Sequence, residues 1–124
     1  MKSLFVAIPV LVALSSLVGC GGGGGSGTEG ALPECPSAGT DLTYDNFGKA
    51  FFDSYCNSCH AANSSDRQGA PAKLTFDSQS EIAALAEEAY GEVDDGAMPP
   101  STFGSQPTSD EVAKLGEWLG CGAP

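Results

Sequence analysis

The chain has 124 residues, enough for one small domain. Five basic residues stand against sixteen acidic ones, a net charge of −11, and so acidic a balance excludes the basic footprint of a nucleic-acid binder. Six Phe, three Tyr and one Trp supply the bulky aromatic carbon, and a domain of this size buries only a modest core with such an inventory.

The first stretch is read apart from the fold. Lys2 gives a short basic start, and Leu4 to Val18 is an apolar run interrupted by Pro9, Ser15 and Ser16. The run is short of the roughly 20 residues that a membrane span needs, and it reads as a secretory signal peptide over 1–19. Its end, Leu17-Val18-Gly19-Cys20, resembles a bacterial lipobox. That resemblance implies lipidation of Cys20 and cleavage just before it, with two or more acyl chains giving a stable membrane anchor. The alternative is a plain signal peptide that ends near a Cys. Residues 20–34 follow as a linker, because glycine fills most of 21–30 and no apolar side chain there can join a core. The folded domain is assigned to 35–124.

Helical periodicity predicts three main helices and no strand, so the fold class is all-α. The first is expected over about 44–55, with Thr43 as N-cap and Phe47, Phe51 and Tyr55 along one face. Residues 61–76 read as a loop rich in turn formers. The second helix is expected over about 79–90, opened by a Ser78-x-x-Glu81 capping box and striped by Ile82, Leu85 and Ala89. Ala97-Met98-Pro99-Pro100 reads as a stiffened loop. The third helix is expected over about 109–119, from a Thr108-x-x-Glu111 capping box to a stop at Gly120, with Val112, Leu115 and Leu119 as its stripe and Trp118 beside it.

Between the first helix and the loop stands Cys56-Asn57-Ser58-Cys59-His60. Cys-x-x-Cys-His is the attachment signal of a c-type haem. Two thiols at that spacing add across the porphyrin vinyl groups, and the next residue offers an imidazole to the iron. His60 is the only histidine, and Met98 is the only methionine besides Met1, and His plus Met is a common axial pair for haem iron. Two other readings compete for these residues. A dithiol redox site usually lies in a βαβ pattern, which is absent here. A zinc site wants four ligands, and beyond the motif only Cys35 and Cys121 remain, far apart in sequence.

Around these residues the chain resembles the class I cytochrome c family, especially its small bacterial monohaem lipoproteins. The family keeps a Gly eight residues and an aromatic four residues before the first haem Cys, where Gly48 and Phe52 stand. Its last helix packs a Leu and an aromatic three residues on against that pair, and Leu115 and Trp118 fit. Its Met ligand precedes that helix, as Met98 does. Its His ring N–H is held by the carbonyl of a Pro about a dozen residues on, which points to Pro71. The resemblance covers about residues 40–120. It implies a fold of three main helices around one covalent haem c, bound by Cys56, Cys59, His60, Met98 and Pro71, with His60 and Met98 on the iron. It also implies a monomeric electron carrier and not an enzyme, tethered outside the cytoplasm on the periplasmic or cell-surface side of a bacterial membrane. Partners would be redox proteins, with a basic docking face suited to this acidic surface. A haem-based sensor or enzyme with a displaceable Met is the alternative. Arg67 and Lys73 are candidates to pair with haem propionates, or plain solvated cations.

Of the five cysteines, Cys35 and Cys121 remain unassigned. In an exported domain they can close a disulfide across its two ends, or stand as two free thiols.

Overall fold

A computed structural model describes residues 30–124. The signal-peptide reading, the lipidation of Cys20 and most of the linker lie outside the described residues. Every regular element among the described residues is helical: a π-helical turn Tyr44–Gly48 that runs into α1 (Lys49–Tyr55), then α2 (Asn57–His60), α3 (Gln79–Ala84), α4 (Ala86–Asp94) and α5 (Ser109–Gly120). Among these residues no helix is long and apolar enough to cross a membrane.

Local chemistry starts these helices. Thr43 opens the first in a reciprocal box, its hydroxyl accepting from Asn46 N while the Asn46 side chain accepts from Thr43 N at 2.7 Å. Thr108 and Glu111 do the same for α5, with Glu111 Oε2 accepting from Thr108 N at 2.8 Å. At α3 only half of the expected box forms. Ser78 caps Glu81 N, but the Glu81 carboxylate accepts from the hydroxyls of Ser78 and Thr75.

Two expected boundaries are corrected. The single helix over 79–90 is two, because the backbone leaves helical geometry at Leu85 (φ −114°, ψ 19°), and the second piece continues to Asp94. Gly120 is the last residue of α5 and not its stop, and the left-handed residue is Gly122 at φ 86°. The bare Cα of Gly120 serves another purpose. The backbone of Pro33 crosses there so closely that a side chain would collide with its carbonyl. Pro33 also lies on Gly116, and Gly30 lies against Gly91. Packing against α4 and α5 therefore begins within the stretch that composition assigns to the linker.

The core joins α1 to α5. Phe52, Ile82, Leu115, Trp118 and Leu119 are its largest fully buried side chains. Gly48 is buried beneath the Trp118 ring, and a Cβ at that position would sit 2.5 Å from Cζ2. Phe52 and Phe47 pack on the same indole, with ring centroids 6.4 and 6.2 Å away. The Tyr55 hydroxyl donates to the Glu111 carboxylate at 3.1 Å and ties the end of α1 to the start of α5. The most buried face of the π-helical turn and α1 together thus runs through Gly48, Phe51 and Phe52, with Phe47 and Tyr55 half-buried beside it. Gly48→Val should overpack this crossing and lower unfolding free energy by roughly 1–3 kcal/mol, read in denaturant titrations.

Cys35 and Cys121 form a disulfide with Cα atoms 4.7 Å apart. It fastens the Pro33 crossing to the end of α5. For a loop of 86 residues the chain-entropy treatment gives roughly 4–5 kcal/mol. A Cys35→Ser, Cys121→Ser double variant should lose up to that amount in denaturant midpoint experiments, against single surface Ser substitutions that change little.

Candidate functional site

α1 ends at Cys56, and the chain makes one further turn, with Cys59 N and His60 N both donating to Cys56 O at 3.1 and 2.9 Å. Residues three and four apart on a helical turn share a face, so Cys56, Cys59 and His60 are presented together. All three line one cavity of about 490 Å³, within the range of small-molecule sites. Phe52, Leu74 and Phe76 contribute apolar wall, Ala89 and Val93 bring α4 to it, and Met98, Pro99, Pro100 and Phe103 supply another side. Glu88 and Glu92 are the acidic residues among its lining.

The two thiols are free. Burial without any compensating charge pushes the Cys56 thiol up to about 12. A reactive dithiol needs the opposite, a thiol lowered by a helix N-terminus or a cation. This environment disfavours the dithiol reading. The disulfide takes Cys35 and Cys121 out of any metal set, and among the described residues no three His, Cys, Asp or Glu side chains gather to hold a metal ion. The four-ligand zinc reading finds no support there.

His60 is oriented from behind. Its Nδ1 lies 3.0 Å from Leu74 O, so the proton belongs on Nδ1, where it donates to the carbonyl, and Nε2 is left with its lone pair. Phe76 packs against the ring at a centroid distance of 5.2 Å. The carbonyl expected from Pro71 is therefore that of Leu74. The reason is a turn after Pro71, whose own carbonyl accepts from Leu74 N at 3.0 Å and from Arg67 Nη2 at 2.8 Å. Pro71 still contributes to the cavity wall. Arg67 is not the plain solvated cation that was one of its two sequence readings. Its guanidinium donates to the carbonyls of Ala61, Ala70, Pro71 and Leu74.

Met98 hangs from the end of α4. Gly96 turns the chain at φ 71°, and Ala97 N and Met98 N both donate to Glu92 O, at 2.9 and 2.8 Å. The following Pro99 and Pro100 remove two backbone donors and restrict the loop. Met98 is 39 % exposed, the exposed large hydrophobic residue among those described.

Leu74, Phe76 and Phe103 were not singled out as site residues by sequence reasoning. A signal existed for two of them, because Leu74-Thr75-Phe76 alternates apolar and polar inside a stretch otherwise read as solvated loop. A scan against protein-family models, a search of curated proteins and a search of solved structures each find no match to this chain.

Proposed function

We propose that this protein is a monohaem c-type cytochrome that passes single electrons between redox partners outside the cytoplasm, tethered by a lipid on Cys20. One observation carries the proposal: Cys56, Cys59, His60 and Met98 line a single, largely apolar cavity. Both thiols are unpaired, and the imidazole is already held through Nδ1. The donor set fits the group it implies. Cys56 and Cys59 would carry the two thioethers, His60 Nε2 would be the proximal ligand, and Met98 the distal one. A haem held in this way supplies a one-electron couple between iron(II) and iron(III), with thioether ligation favouring the reduced form.

The rest is done by the chain. Leu74 O fixes the tautomer and ring plane of His60. Phe52, Phe76 and Val93 lower the polarity of the cavity. Pro99 and Pro100 restrict the backbone that carries Met98. Glu88 and Glu92 lie among the lining residues, which suits a partner with a basic docking face. No second His stands in the chain to act as a distal acid or base, which weighs against a haem enzyme. The test is a carbon monoxide titration of the reduced, haem-bearing protein. A carrier with both axial positions filled resists the gas, whereas ready binding would favour a sensor or enzyme with a displaceable Met.

A further inference from the structure

The structure assigns Arg67 as a positioning residue that weakens the hydrogen bond behind His60 and thereby raises the reduction potential of the site. The inference rests on the proposed haem ligation, but its geometry is independent of it. Leu74 O accepts from two donors, His60 Nδ1 at 3.0 Å and Arg67 Nη2 at 3.2 Å. A carbonyl oxygen has two lone pairs and can serve both. The cationic donor draws electron density from that oxygen, so less is left for the imidazole N–H.

A strong acceptor behind a metal-bound His makes the imidazole a more basic ligand, which favours the oxidised, more positive iron. Arg67 opposes this by sharing the acceptor. Its positive charge acts in the same direction, and Arg67 makes no ion pair among the described residues. The guanidinium is also held in place. Nη1 donates to Ala61 O at 2.7 Å, directly after His60 in the chain, and Nη2 to Pro71 O at 2.8 Å. The planar fork therefore ties both ends of the 61–74 segment at the point where it meets His60. Lys has neither the plane nor the number of donors to do this.

The experiment compares full-length, haem-loaded wild type with Arg67→Lys and Arg67→Gln by potentiometric titration and by NMR of the reduced protein. Both variants should lower the equilibrium constant for reduction by about threefold to tenfold, the latter being 59 mV for one electron. The His60 Nδ1–H resonance should move downfield in both. Because Arg67→Lys keeps the charge and loses the fork, a Lys variant with wild-type potential and an unmoved His60 resonance overturns the inference: charge alone would then act. Should the variants fail to mature, the wild type still decides. Through-hydrogen-bond couplings to the Leu74 carbonyl carbon are expected from both His60 Nδ1 and Arg67 Nη2, and a missing Arg67 coupling overturns it. A wild-type chain that carries no covalent haem overturns the function itself, an outcome distinct from either.

Discussion

Met98→Ala should convert a closed iron site into an open one. Within the proposed function, no other methionine follows Met1 and no second histidine exists to replace the ligand. The reduced variant should bind carbon monoxide readily where wild type resists. The midpoint potential should fall by more than a tenfold change in the equilibrium constant, which is about 59 mV for one electron, since the thioether that favours reduced iron is gone. The fold should be little affected. Met98 is 39 % exposed and outside the buried core, so truncating it removes little packing and should leave the helix content unchanged. That combination, a large spectroscopic and redox effect with unchanged helicity, separates a ligand from a packing residue. An unaltered potential in Met98→Ala would count against the carrier reading.

Cys59→Ala should leave at most one thioether, from Cys56, and shift the reduced α-band to the red. Cys56 and Cys59 are not equivalent in this fold. Burial holds the Cys56 thiol protonated far above neutral pH. Cys56 lies at the end of α1 against the core, and Cys59 a turn further on. Removing both thiols should abolish covalent attachment and leave a haem that acid solvent extracts. The cavity bordered by Phe52, Phe76, Ala89 and Val93 would then keep only its coordinate hold through His60 and Met98. An unchanged α-band in Cys59→Ala would exclude a thioether at that position.

What the sequence made legible was local. Thr43, Ser78 and Thr108 announce their helices because a capping side chain bonds a donor three residues away. The Gly48–Trp118 crossing was readable only through the resemblance to class I cytochromes c, whose last helix sets an aromatic against a Gly of the first. The break at Leu85 was not. Ile82, Leu85 and Ala89 keep helical spacing across it, and no Gly or Pro marks the place. Gly120 was mistaken for a helix stop because composition cannot tell a glycine needed for φ from one needed for clearance. Only the return of Pro33 across α5 shows the second use. At the site, the motif and Met98 were legible from residue identity alone. The acceptor behind His60 was not, since a turn after Pro71 decides which carbonyl faces the ring. The role of Arg67 was hidden for a related reason: its partners are backbone carbonyls, which carry no signature in side-chain sequence.

The proposed function stands on covalent haem at Cys56 and Cys59, and a pyridine haemochrome spectrum reads that attachment out. The chain is produced alongside a cytochrome c maturation system, extracted with acidified acetone and then assayed. Haem should stay with the polypeptide, with the α-band of a haem whose two vinyl groups are both saturated and an intact mass larger by one haem. Haem that leaves with the solvent, or a haem-free chain whose Cys56 and Cys59 thiols remain fully titratable, would contradict it.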